Sequence, residues 1–337
     1  MSALKEQVIS YLLKLISKKD KKLISKALDA FDGEVSKSTL YNYLKELCDS
    51  QVIKKDGSTY SLVSKRHVFF YQNTGLGEDR VFSSDIEPLL RELPKNVISA
   101  WRYGFTEMMN NAIEHSLARL ISVTVDINAL QTTISICDNG IGIFKNIQDY
   151  VLRESNQSLS LKECVALLFA GKFTTAKSMH SGEGIFFTSH LMDKFVIFSD
   201  NIVFTRDNFS DTDMEFEEIE VGTLVSMSLS NQSKKTVREV FDRFSNVDEG
   251  FIKTQIPIAH VFSGLGPISR SEARRLGELI KGFCEVDLDF TGVEEVGQAF
   301  VHELFIVWQG RNPHIKLNAL NTNDDVEFMI KRVINTK

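Results

Sequence analysis

No uncharged apolar run in these 337 residues approaches the roughly 18–20 that a membrane helix requires. The opening stretch, MSALKEQVISYLLKLISKK, is amphipathic and lysine-rich rather than signal-like, so neither a membrane partner nor an export signal is expected. Cysteine is scarce. The four present (Cys48, Cys137, Cys164, Cys284) are widely spaced with no metal-binding pairs, and a disulfide miniprotein is excluded. Reduced, structural thiols in a cytoplasmic protein are the simplest expectation. The chain has no internal repeat, no low-complexity segment and no GxxxxGK[ST] phosphate loop. What is present is ordinary: 43% hydrophobic and 25% charged residues exclude disorder and predict two or three folded domains.

The net charge of −6 argues against a chain that binds nucleic acid throughout, and it conceals an asymmetry. Residues 1–66 carry 13 Lys and Arg against 8 Asp and Glu, a net of +5, and the remainder carries −11. A basic head on an acidic body predicts parts with separate partners.

Within residues 1–66, Val8, Leu12, Leu15 and Ile16 recur at helical spacing. Leu23, Ile24, Ala27 and Leu28 predict a second helix, closed by Asp32-Gly33. Ser36 can cap a third, which turns Leu40, Tyr43, Leu44 and Leu47 inward. VIKKDGSTYSLV then carries a hairpin signal at Asp56-Gly57. Helix, helix, helix, hairpin resembles a winged helix-turn-helix domain. Its third helix would offer Lys37, Thr39, Tyr41, Asn42 and Lys45 to double-stranded DNA, and its wing Lys54 and Lys55. That helix has no arginine to fork onto guanine, so a protein-interaction or dimerisation module stays open.

From residue 67 to 230, helical and strand patterns mix, which implies α/β layers. Residues 231–249 read as a linker. Residues 250–337 alternate as β-α-β-α-β-α: HVFSGL, a helix through SRSEARRLGELIKGF, VDLDFTGV, a helix through GQAFVHELFIVWQG, HIKLNAL, and a last helix from Asp324.

The most informative stretch is WRYGFTEMMNNAIEHS, residues 101–116. On a helix, Trp101, Phe105, Met108, Ala112 and Ile113 gather on one face. Glu107, Asn111 and Glu114 fall within about 60° of each other on the opposite one. An amide oxygen suits a hard cation, and a carboxylate one turn away can orient or deprotonate a nucleophile. Alone, the pattern fits a solvated polar face on a core helix better than a site. Further along, Thr133–Cys137 reads as a strand that breaks at Asp138-Asn139-Gly140-Ile141-Gly142. Strand alternation turns Asp138 to the covered face with Ile134 and Ile136, where an acid needs a partner such as an adenine amino group. Gly140 and Gly142 let backbone approach a base without a Cβ in the way. A second cluster, Ser181-Gly182-Glu183-Gly184-Ile185, opens a helical run and can present free N–H groups to phosphates. Between the clusters, residues 144–180 are polar and carry Lys172, Thr174, Thr175 and Lys177, which predicts a lid over a nucleotide. Val221-Gly222-Thr223 starts a strand that puts the Thr223 hydroxyl inside.

In this order the four elements resemble the GHKL nucleotide-binding family of gyrase B subunits, Hsp90, MutL, histidine kinases and anti-sigma kinases. The N box matches at Glu107, Asn111 and Ala112, and the first glycine box at Asp138, Gly140 and Gly142. The second matches at Gly182 and Gly184, and the late Gly-Thr at Gly222 and Thr223. The resemblance implies a mixed sheet backed by helices, with ATP and Mg²⁺ held between helices and lid. Asn111 would ligate the magnesium, Asp138 would bind the adenine amino group, and the 182–184 loop would hold phosphates. Glu107 resembles the glutamate of hydrolysing members and anti-sigma kinases rather than the asparagine usual in histidine kinases. No phosphoacceptor-histidine hairpin precedes the site, which argues against a classical sensor kinase.

Val286–Val293, followed by a helix near Gly297, resembles the central strand and turn of STAS (anti-sigma-antagonist-like) domains. Where antagonists carry an acceptor serine, Glu295-Val296-Gly297-Gln298-Ala299 has no hydroxyl. The expected architecture is therefore α/β (α+β). It comprises a winged-helix head (1–66), a GHKL-type α/β sandwich with an ATP lid (67–230) and a small STAS-like α/β domain (250–337). The expected function is an ATP-dependent transcriptional or signalling switch, with a protein partner at the STAS-like domain. A serine/threonine kinase of anti-sigma type, a non-hydrolysing scaffold and a homodimer remain open.

Overall fold

A computed structural model describes residues 3–335, apart from 157, 173–181, 206–221, 247, 249 and 263–265. Its N-terminal part is helix α1 (Ala3–Ser17), α2 (Leu23–Ala30) and α3 (Lys37–Asp49), then the hairpin β1 (Ile53–Asp56) and β2 (Thr59–Leu62). Ser36 caps α3, its Oγ accepting from the Thr39 amide at 3.2 Å. Gly57, at φ +56°, turns the hairpin. Val8, Leu12, Leu40, Leu44 and Ile53 close the core, while Tyr43 is only half-buried. Lys37, Tyr41, Asn42, Lys45, Lys54 and Lys55 are exposed. Thr39 departs from the expected outward set: it is half-buried, its hydroxyl 2.8 Å from Ser36 Oγ.

β3 (Lys65–Gln72) begins the central part, two residues ahead of position 67. α4 (Glu78–Val81) follows and runs into π-helical and 3₁₀ turns that end at Leu90. Next come α5 (Lys95–Glu114), β4 (Leu120–Ile127), β5 (Gln131–Asp138), α6 (Ile143–Ser155) and α7 (Leu161–Ala170). The part closes with α8 (Gly184–Leu191), β6 (Lys194–Ser199), β7 (Ile202–Thr205) and β8 (Thr223–Ser230). The six strands form one sheet in the order β3-β4-β5-β8-β6-β7. Every neighbouring pair is antiparallel, which corrects the expected mixed sheet. The reason is β8, which inserts between β5 and β6 and runs opposite to both. One face buries Ile121, Val123, Ile134, Ile136, Met227 and Leu229, and α5 and α8 pack across it. The other face carries hydroxyls paired across strands, Thr133 with Ser228 at 2.8 Å and Ser135 with Ser226 at 3.0 Å. Such alternation is what an antiparallel sheet with one covered face requires.

Residues 231–249 are not a plain linker. They fold as α9 (Val237–Phe244) behind a Thr236–Glu239 capping box, followed by the short β9 (Ser245–Asn246). Val237, Val240, Phe241 and Phe244 fall on one helical stripe, Phe244 is buried, and the Phe241 ring stacks on Phe187 at 4.0 Å. β10 (Gly250–Phe251) pairs with β9. Then follow β11 (Lys253–Pro257), α10 (Ile258–Val261), α11 (Arg270–Ile280) and β12 (Glu285–Asp289). α12 (Gln298–Val301) continues through a π-helical stretch into α13 (Gln309–Arg311), ahead of β13 (Lys316–Leu320) and α14 (Asp324–Asn335). β11, β12 and β13 form a parallel sheet in that order. Its first strand lies earlier than the expected HVFSGL. Pro257 has no amide to extend the ladder, His260 and Val261 belong to α10, and 263–265 fall outside the described residues.

Among the described residues the apolar interior is in two parts. The N-terminal helices enclose their own core, with Leu130 of the β4–β5 turn packed against it. A single contiguous core, from Val81 to Val333, runs through both the six-stranded and the parallel sheets. Among the described residues no helix is long and apolar enough to cross a membrane.

Candidate functional site

α5 brings Glu107 and Asn111, one turn apart, to the rim of a cavity of about 300 Å³. Ile136, Ile197 and Val225 from three adjacent strands form its apolar floor, with α6 and the start of α8 opposite. Asn110 and His115 also line it. Glu114, on the same polar stripe in sequence, is exposed and does not.

Asp138 ends β5 on the covered face, 5% exposed. Its Oδ1 accepts from the Gly140 amide at 2.8 Å, and its main-chain carbonyl from the Gly222 amide at 2.9 Å. Burial pushes the carboxyl up to about 6, against the lowering pull of the Gly140 and Thr223 amides. Among the described residues no cation pairs with it. Thr223 stands opposite Asp138 in the strand register, buried, its hydroxyl 3.5 Å from Ser199 Oγ. A buried carboxylate held, among the described residues, by backbone amides above an apolar floor fits a neutral donor such as an aromatic amino group.

The glycines make this packing possible. A Cβ on Gly222 would sit 2.5 Å from Asp138 Oδ1. A Cβ on Gly140 would overlap the Ser116 carbonyl, so Gly140 works behind Asp138 and does not itself line the cavity. Gly142, at φ +82°, leaves room for Asp200, whose Oδ2 accepts from the Lys145 amide at 3.1 Å in the first turn of α6. Gly182, Glu183 and Gly184 line the cavity where α8 begins, and the first amides of a helix lack intrahelical acceptors. Burial, with Glu107 and Glu183 close by, pushes the Tyr103 phenol far above its ordinary range.

Residues 97–232 match the family model described as histidine kinase-, DNA gyrase B-, and HSP90-like ATPase. The chain carries a GHKL-type ATPase domain. Domains of this family bind ATP, usually with Mg²⁺. Residues 272–327 match a STAS-like domain of unknown function, a span that includes β12 and β13 of the parallel sheet. No curated protein matches the chain.

Of the residues singled out from sequence, Glu107, Asn111, Asp138, Gly142, Gly182, Gly184 and Thr223 meet around the ATPase-domain cavity. None of the seven head residues expected at DNA lines it. Of the expected lid, residues 144–172 apart from 157 are described, mostly within α6 and α7, while Thr174, Thr175 and Lys177 lie outside the described residues, as does Ser181 of the second glycine cluster. Lys172 is described, and its Nζ donates to the Gly282 carbonyl at 2.7 Å rather than reaching the cavity. Sequence reasoning passed over Ser199 and Asp200. Ser199 Oγ donates to the Gly222 carbonyl at 2.6 Å and accepts from the Ile143 amide at 3.1 Å, which ties β8 to α6. The available signal was the two-residue Asp200-Asn201 turn, both at positive φ, between β6 and β7. Asn146, whose Nδ2 donates to the His115 carbonyl at 2.9 Å, carried no such signal.

Proposed function

We propose that the chain is an ATP- and Mg²⁺-binding regulatory protein, a switch whose ATPase domain communicates with its head and its STAS-like domain. The observation that carries this reading is Asp138: a buried carboxylate whose donors among the described residues are backbone amides, facing a cavity that Glu107 and Asn111 rim. In this reading Asp138 binds the adenine amino group, with Thr223 beside it and Gly140 and Gly142 shaping the backbone. Gly182 and Gly184 border the phosphates at the start of α8. Asn111 supplies an oxygen to Mg²⁺, which would neutralise phosphate charge, and Glu107 orients or deprotonates the nucleophile.

Residues 1–66 would form a winged helix-turn-helix that meets double-stranded DNA through Lys37, Tyr41, Asn42 and Lys45 of α3 and Lys54 and Lys55 of the hairpin. Thr39, tied to Ser36, would play the smaller part. Residues 67–230 would form the nucleotide domain and 250–337 the protein-docking domain. Coupling between them requires ATP to bind two conformations with different affinity.

A second reading, a serine/threonine kinase of anti-sigma type, is favoured by Glu107 being a glutamate at the cavity rim. Incubation with γ-labelled ATP and Mg²⁺ separates the two. Released phosphate supports an ATPase switch and labelled protein a kinase. Binding with neither product leaves a ligand-gated scaffold, and no binding at all overturns the proposal.

A further inference from the structure

The last carbonyls of a helix have no donor within it. At the end of α7 the STAS-like domain supplies one. Thr254 of β11, 0% exposed, donates its hydroxyl to the Ala170 carbonyl at 3.0 Å. Two residues on, Lys172 donates to Gly282 and lies 4.5 Å from the centre of the Phe283 ring. In the first turn of α7, Glu163 meets Arg275 of α11 at 3.4 Å. α8 is braced from the same side, with the Phe251 ring 4.5 Å from Phe186 and 5.1 Å from Phe187. Gly171, at φ +85°, admits Phe186 against the end of α7.

Both braced helices reach the nucleotide cavity. α7 contributes Leu168, and α8 contributes Gly184 and Ile185. We propose that Thr254 and Lys172 are positioning residues for the ATP site, through which docking of the STAS-like domain and nucleotide binding become coupled. This rests on the reading of the cavity as an ATP site. Thr254 fixes the C-terminal end of α7, and Lys172 fixes the chain as it leaves that helix for the second glycine cluster. By linkage the coupling is reciprocal: nucleotide tightens the junction, and a partner that loosens β11 or α11 weakens nucleotide binding.

The test uses the full chain and a non-hydrolysable ATP analogue with Mg²⁺. In the wild type, the analogue is expected to slow amide exchange across β11 and α11, no residue of which lines the cavity. By calorimetry, Thr254→Val and Lys172→Met should each bind about fivefold or more weakly, the lower range of measured coupling, while Thr254→Ser restores affinity. Where Thr254→Val fails to fold, Lys172→Met and the wild-type exchange pattern decide. Wild-type binding with unchanged exchange at β11 and α11, and unchanged affinity in the variants, overturns this inference alone. A wild type that binds no analogue overturns the ATP reading, and this inference with it.

Discussion

The Glu107 carboxylate rests on Gly184, the first residue of α8, so closely that a Cβ there would overlap Oε2. The proposed base and the proposed phosphate-bearing helix are therefore one packed unit. The overlapping atom is the end of a flexible side chain, so Gly184→Ala should cost at most about 1 kcal/mol in stability. It should nevertheless displace Glu107. General-base groups supply roughly 10²–10⁴-fold, so loss of about tenfold or more in phosphate release or transfer is expected. Turnover assays beside thermal melts check this. Glu107→Ala should abolish turnover and spare nucleotide binding.

Gly140→Ala should behave in the opposite way. Its Cβ would meet the Ser116 backbone carbonyl, which cannot swing aside, and overpacking of this kind costs about 1–3 kcal/mol or more. Denaturant unfolding should show the loss with no nucleotide present.

Asp138 gives a pH dependence with a defined sign. Its folded carboxyl titrates at about 6, above the ordinary carboxylate value of roughly 3.9. Between those values the folded state holds the extra proton, so this group's contribution to stability falls as pH rises from about 4 to 6. The full effect is about 2–3 kcal/mol. Asp138→Asn cannot titrate, so the difference between wild-type and variant unfolding free energies should shift by that amount between pH 4 and 7. A constant difference would contradict it.

Much of this was legible in sequence because the relevant signals are local. Alternation placed Asp138 beside Ile136 on the covered face, helical spacing put Asn111 one turn from Glu107, and Ser36 announced its own cap. What escaped depends on long-range packing. The Ser199 hydroxyl acquires its role only because β8 inserts between β5 and β6. α9 looks like a linker in sequence because its polar residues outweigh a narrow stripe whose partner, Phe187, lies about fifty residues away. The junction of Thr254 with Ala170 spans 84 positions and leaves no periodic trace.

For the head, Lys37→Glu combined with Lys45→Glu should weaken duplex binding and lower the slope of log affinity against log salt by roughly 2. Fluorescence anisotropy at several salt concentrations measures both. Absence of duplex binding by the intact protein would assign the head to a protein partner.

The central claim is that the cavity at Asp138 holds ATP, and calorimetric titration of wild type and Asp138→Asn with ATP and Mg²⁺ tests it most directly. Saturable 1:1 binding by the wild type is expected, with affinity about tenfold or more weaker in the variant, the scale of a lost charge-assisted hydrogen bond. Equal affinities would contradict it.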